Sequence, residues 1–259
     1  MGASCTSYLS VKSRRNVGFN MKLMPQSPSS VSTYNTCPKQ YHAKYITKEV
    51  VFKSTAETER GTRWHKQLEE RLRDKLDLPE ETAIFEPLIR RLELMKGEKL
   101  AETRFGITAD FKACDYKARW YGGTADAVVL NHEERKAVIF DYKTGKVKDN
   151  EDFRKQLTNY ALMAFIAYPH IQQIRVAYIF LDAMQFSPIE HGRKGLLFKR
   201  SDMEQMKSDL SLDIDRIAHS TERNEWLPNP SGLCRPNKPT VNGGKPWCQV
   251  KSCPFWNKR

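Results

Sequence analysis

The sequence has no apolar run approaching the ~18 residues a membrane span requires, and its mean hydropathy is -0.65, so a soluble protein is the expectation. It has no acidic residue before Glu49 and no apolar h-region near its start, which excludes a secretory signal of the usual kind. Residues 1–26 therefore read as a disordered basic arm. Met1-Gly2 with Thr6 fits a loose myristoylation pattern, and the acid-poor composition vaguely suits a transit peptide, but both patterns are short and common. There is no internal repeat and no low-complexity tract beyond this arm. What is present is 259 residues with 39% apolar content, enough for one large domain or one domain with an appended lobe. Lys and Arg outnumber Asp and Glu 43 to 31, giving a net charge of +12. Such a surplus favours a polyanionic partner, nucleic acid before membrane.

Ser27-Pro28 begins a segment expected to form two short helices split at Pro38. Leu68, Leu72 and Leu76 recur every fourth residue and predict a helix over 57–76 with one buried stripe. A further helix is expected over 83–95. The period then changes: 100–115, 118–130 and 136–142 are rich in β-branched and aromatic residues and predict a three-strand antiparallel meander. A helix over 153–168, a strand over 174–181 and a helix over 201–218, capped by Ser201, follow. Past Glu225, Pro, Gly, Asn and Lys dominate and three cysteines appear. The expected organisation is an arm (1–26), an N-terminal helical segment (27–98), a core (99–224) and a cysteine-bearing tail (225–259) that packs back on the N-terminal segment.

The hairpin between 122 and 145 carries Asp126, Asp141 and Lys143 within its strands rather than at their ends. A four-residue turn at 132–135 puts Asp126 opposite Asp141 with Cα atoms roughly 5 Å apart, in a register uncertain by one residue. Strand alternation puts Asp141 and Lys143 on one face. Burying such a cluster is costly without compensation, and a divalent cation held by both carboxylates supplies it. Aspartates without cysteine or histidine beside them in the hairpin suit a hard cation with oxygen ligands, Mg²⁺ or Mn²⁺, and an ion of that kind beside Lys143 suits phosphodiester hydrolysis. An isolated Asp-x-Lys is more often a surface pair at a strand edge; Gly122-Gly-Thr-Ala-Asp126 on the partner strand turns the reading toward a site.

These residues resemble the PD-(D/E)xK nuclease superfamily and its RecB-like branch. Gly123-Thr-Ala-Asp126 is similar to the family's Gly-x-x-Asp, Asp141-Tyr-Lys-Thr-Gly145 to its Asp-x-Lys-Thr-Gly, and Gln156-Leu-Thr-Asn-Tyr160 to the Gln-x-x-x-Tyr of that branch. Gly61-Thr-Arg-Trp-His65 resembles a helical Gly-x-x-x-His that supplies a metal ligand, and Glu102 the acidic residue that often precedes Gly-x-x-Asp. The resemblance implies an α/β restriction-endonuclease-like core, with a mixed sheet flanked by helices and exonucleolytic action on single-stranded DNA ends. It implies metal ligation by His65, Asp126, Asp141 and the Tyr142 carbonyl. It gives Lys143 the attacking water, and Gln156 and Tyr160 the positioning of Lys143 or phosphate. Recombination, repair or replication is the implied setting, in the cytoplasm or the host cytoplasm if viral, with a helicase or recombinase as the implied partner.

Cys37 sits in an entry similar to that branch's Ser-x-Ser…Cys-Pro, far in sequence from Cys234, Cys248 and Cys253. In iron-sulfur members one N-terminal and three C-terminal cysteines hold a [4Fe-4S] cluster, so the resemblance implies one here. The wide Cys234 to Cys248 gap departs from the usual tight pair, and a Cys₄ zinc site or free thiols would use the same residues. Cys114 is expected as a small buried hydrophobe in a strand, and Cys5 as a free thiol. Arg63, Lys66, Lys146, Lys148, Arg154 and Lys155 are candidates for backbone phosphates. Trp64, Trp120, Tyr121 and Tyr160 are candidate faces for unstacked bases.

Overall fold

Short runs of alternating β-branched and aromatic residues, closed by turn residues, build the sheet. The computed structural model describes residues 23–50, 54–231, 234 and 248–256. Its strands are β1 (Glu98–Ile107), β2 (Tyr121–Asn131), β3 (Lys136–Lys143), β4 (Gln173–Phe180), β5 (Gln185–Ser187), β6 (Ile189–Glu190), β7 (Arg193–Lys194) and β8 (Leu196–Lys199). The main sheet runs β1-β2-β3-β4-β5, with β8 also on β4, while β6 and β7 form a separate ribbon. β1, β2 and β3 are the expected antiparallel meander, and β4 lies parallel to β3. A parallel neighbour needs a crossover, and α5 (Glu151–Ala167) supplies it.

Helices cover both faces. α1 (Pro28–Thr36), α2 (Pro38–Tyr41), α5 and α6 (Met203–Arg223) meet one face through a core that includes Val128, Leu130, Ile139, Val176 and Tyr178. On the other face, α3 (Ala56–Asp74) and α4 (Glu86–Leu94) bury Leu68, Leu72, Ile89 and Leu92 against Phe140, Tyr142 and Ile179. The arrangement is a mixed sheet between two helical layers. No helix among the described residues is long and apolar enough to cross a membrane.

Several expected boundaries shift. β1 stops at Ile107 rather than at 115, because Thr108 binds its own turn: its hydroxyl lies 2.5 Å from Asp110 Oδ1 and accepts Lys112 N–H, while Phe111 takes a left-handed φ of 58°. Cys114 is therefore half-buried in a loop, not packed inside a strand. α3 ends at Asp74, where Lys75 turns left-handed, so Leu76 leaves the apolar stripe and is exposed. Ser201 does not cap α6; a 3-10 turn, Arg200–Asp202, precedes the helix, and Asp202 accepts Lys199 N–H instead. Residues 1–22, with Cys5, lie outside the described residues. Ordered packing begins before residue 27: Gln26 is fully buried, donates its N–H to the Trp120 carbonyl and accepts from Gly122 N–H.

Beyond α6 the chain returns to the N-terminal helices. Trp226 stacks on Tyr41 with ring centroids 5.7 Å apart, and Cys248, Val250 and Cys253 pack around Ala43.

Candidate active site

The site begins where the β2–β3 ladder stops. The last paired residues are Ala127 and Phe140. One step further, in the register expected from the turn at 132–135, Asp126 and Asp141 face the opening between the strands. There a side chain replaces the ladder: Asp126 Oδ2 accepts the buried Tyr142 N–H. The other oxygen, Oδ1, lies 2.9 Å from His65 Nδ1.

His65 reaches this point because α3 approaches β3 closely. A Cβ on Gly61 would sit 3.0 Å from Thr144 Oγ1, so glycine is the residue that permits the approach. Burial disfavours the His65 charge, but the hydrogen bond and charge of Asp126, with Asp141 behind, outweigh it and hold its pKa above the ordinary value.

Glu102 comes from the edge strand. The pairs Ala101–Ala127 and Thr103–Ala125 flank it, which sets it opposite Asp126. Its φ of 48° is strained for a residue with a Cβ inside a strand, a conformation held by its surroundings. Burial, then the charge and hydrogen bond of Asp126 and the charge of Glu69, push its carboxyl up to about 7. Ligand atoms of His65, Glu102 and Asp126 all lie within 4.8 Å of one another. His65 and Glu102 line a cleft of about 550 Å³ together with Lys66, Glu69 and Thr144, and the buried Asp126 lies behind them.

Asp141 points to the α5 side. Its Oδ1 lies 2.9 Å from the Tyr160 hydroxyl, which is also 2.8 Å from the Thr124 carbonyl, so one proton serves two acceptors. Its Oδ2, buried, is ion-paired with Lys143 Nζ at 2.5 Å. Burial raises the Asp141 pKa and the Asp126 charge adds to it, against the pull of Lys143. Gly123 leaves room for this packing: a Cβ there would meet Tyr160 Cε1 at 3.3 Å.

The remaining predicted residues divide. Gln156 does not touch the carboxylates; its Oε1 accepts from Tyr178 OH, whose ring lies 5.1 Å from Lys143 Nζ. The Tyr142 side chain is buried on the far face, with its ring 5.8 Å from that of His65. Lys146 and Lys148 are exposed in the loop after β3. Arg63 pairs with Glu81 at 3.6 Å across an exposed surface. Arg154 is engaged by Asp149 and Glu190, and Lys155 faces Glu151 and Asp213, so neither offers an uncommitted charge. Tyr121 and Tyr160 are buried and offer no open face, while Trp64 and Trp120 are half-buried and packed edge-on against Phe85 and Phe111.

Glu69 was missed. Its signal was its place one turn beyond His65 on the same helix, which puts both on one face. The four cysteines come together at the other end of the chain's path: the Cys248 thiol is pushed up by burial and by the proximity of Cys234, Cys37 and Cys253. Cys37 Sγ also accepts Asn229 N–H at 3.4 Å.

A mixed sheet between helical layers, with carboxylates gathered where two strands part, is a restriction-endonuclease-like core. The chain belongs to the PD-(D/E)XK nuclease superfamily, whose family model matches residues 25–257. Among solved structures it is similar to a protein from Eubacterium rectale described as a "Putative exonuclease", at 11% identity over 81% of this chain and 85% of that one, with a TM-score of 0.47. It is also similar to SSO0001, at 14% identity over 80% of each chain, with a TM-score of 0.37. No curated protein matches it.

Proposed function

We propose that the protein is an Mg²⁺- or Mn²⁺-dependent deoxyribonuclease that acts as an exonuclease on single-stranded or free DNA ends in recombination, repair or replication. The observation that supports this most is the gathering of His65, Glu102 and Asp126 within 4.8 Å of one another at the wall of an open cleft lined by His65 and Glu102, with the Asp141–Lys143 ion pair beside it. The donors fit a hard cation: they are carboxylates and one imidazole gathered within 4.8 Å, and burial with the charge of Asp126 pushes the Glu102 carboxyl up, a repulsion that a cation would relieve. His65, Glu102, Asp126 and Asp141 would hold it, with the Tyr142 carbonyl. Bound there, the ion would supply an acidified water and neutralise charge at phosphorus.

The protein's own groups do the rest. Lys143 orients the attacking water or stabilises the developing charge. Tyr160 fixes Asp141, and Gln156 holds Tyr178 beneath Lys143. Lys146 and Lys148 take backbone phosphates, while Arg63, Arg154 and Lys155 do so only on leaving their carboxylate partners. A helicase or recombinase would present the end, in the cytoplasm or, for a viral protein, that of its host.

Cys37, Cys234, Cys248 and Cys253 would hold a [4Fe-4S] cluster of the RecB-like type. The nearness of Cys37, Cys234 and Cys253 to the Cys248 thiol supports a shared site for the four. Anaerobically purified protein should be brown and contain iron and sulfide; a colourless protein with stoichiometric zinc would overturn the cluster.

The test of the exonuclease reading is degradation of linear against circular single-stranded DNA in Mn²⁺. Loss of the linear strand alone is expected. Cutting of the circle would make the protein an endonuclease.

A further inference from the structure

Asp182 stands just beyond β4, in the 3-10 turn Leu181–Ala183, and grips groups from two other elements. Its Oδ2 accepts Gly145 N–H at 2.5 Å. Arg60 Nη2 lies 2.9 Å from Oδ1 and 3.2 Å from Oδ2. Gly145 follows Lys143 by two residues on the way out of β3, and Arg60 precedes His65 by five residues on α3. One carboxylate thus joins the strand that carries Asp141 and Lys143 to the helix that carries His65.

The join is the part of this turn that is fixed. Gly145 has a φ of 93°, and a Cβ built on it would meet nothing within 4 Å, so packing does not hold it. The hydrogen bond to Asp182 does. Arg60 is itself held, since its guanidinium lies 4.6 Å from the Trp64 ring, which packs edge-on against Phe85. The Arg60 and Asp182 side chains are 39% and 27% exposed, and ion pairs so wetted contribute little to stability. A contact that adds little stability but spans the two halves of a site acts on geometry.

We propose that Arg60 and Asp182 are positioning residues, a clamp that holds the Thr144–Gly145 turn to α3 and so keeps Lys143 and His65 in register around the metal. The inference rests on the nuclease reading above. Neither residue touches the carboxylates of the site, and each acts through the backbone of Gly145 or the placement of α3.

Arg60→Met, Asp182→Ala and the double variant test it on linear single-stranded DNA in Mn²⁺. Each single variant should lower kcat about 10-fold or more with KM nearly unchanged, because misplacement of reacting groups costs rate more than binding. The melting temperature should move by no more than about 3 °C. The double variant should be no worse than Asp182→Ala, since both changes release the same turn, and Arg60→Lys should recover part of the rate. Mn²⁺ titration followed by the electron spin resonance of the free ion reads the clamp without turnover: Asp182→Ala should bind several-fold more weakly than wild type. Unchanged kcat and Mn²⁺ affinity, or losses that multiply in the double variant, would overturn the clamp. Asp141→Ala separates the two readings. If it is inactive while Arg60→Met is wild type, the clamp alone fails; if it is as active as wild type, the nuclease reading fails.

Discussion

His65 Nδ1 and Asp126 Oδ1 lie 2.9 Å apart, which fastens helix α3 to strand β2 at the point where β2 parts from β3. In the proposed metal centre both atoms are ligands. His65→Ala should therefore raise the Mn²⁺ concentration for half-maximal activity by roughly 10–100-fold, the scale on which perturbed metal sites lose affinity. A Mn²⁺ activation curve identical to wild type would remove His65 from the site.

The carboxyl of Glu102, pushed up to about 7, makes the site pH-sensitive. The folded protein holds this proton more tightly than the unfolded chain, so the metal-free protein has that stabilisation at low pH and loses it as pH rises through about 7. The raised Asp141 and His65 act in the same direction. Melting in chelator should fall between pH 5.5 and 8, Mn²⁺ should restore it most at pH 8, and Glu102→Gln should flatten the profile. A melting temperature in chelator that rises across this window would contradict the assignment.

Gly61→Ala separates activity from stability. Alanine favours the helix by about 1 kcal/mol over glycine, but its Cβ would press on Thr144 Oγ1 at 3.0 Å and push α3 from the end of β3. Thermal unfolding should be close to wild type while kcat falls at least about 10-fold. Full activity would mean that the approach of α3 is not critical.

Tyr160→Phe removes the donor shared by Asp141 and the Thr124 carbonyl and leaves buried acceptors unpaired. Urea unfolding should show a loss of about 1–3 kcal/mol. A neutral outcome would mean that water or Lys143 takes over the hydrogen bond.

Much of this was legible because local rules and tertiary structure agree. The turn at 132–135 fixes the β2–β3 register, and that register alone brings Asp126 level with Asp141. Gln156 and Tyr160 share one face of α5 as their spacing requires, yet only Tyr160 reaches the carboxylates, since Tyr178 stands between Gln156 and Lys143. Arg60 and Asp182 could not be singled out, because in sequence each is one more charge on a polar helix or past a strand end, and Glu69 had only its place one turn beyond His65 to mark it. The left-handed Glu102 was equally hidden: its backbone is imposed by the strands and helix around it. The short strands β5 and β8 hold three and four residues, too few for alternation to register. The phosphate-binding candidates Arg154 and Lys155 show the limit of charge counting, since beside the local Asp149 and Glu151 each meets a carboxylate from far along the chain, Glu190 and Asp213.

The most direct measurement is release of end label from linear single- and double-stranded DNA in Mg²⁺ and Mn²⁺, with Asp141→Ala beside wild type. The proposed site predicts metal-dependent release by wild type and none by the variant. Tight DNA binding with no release from either protein would mean that the fold holds DNA without cutting it.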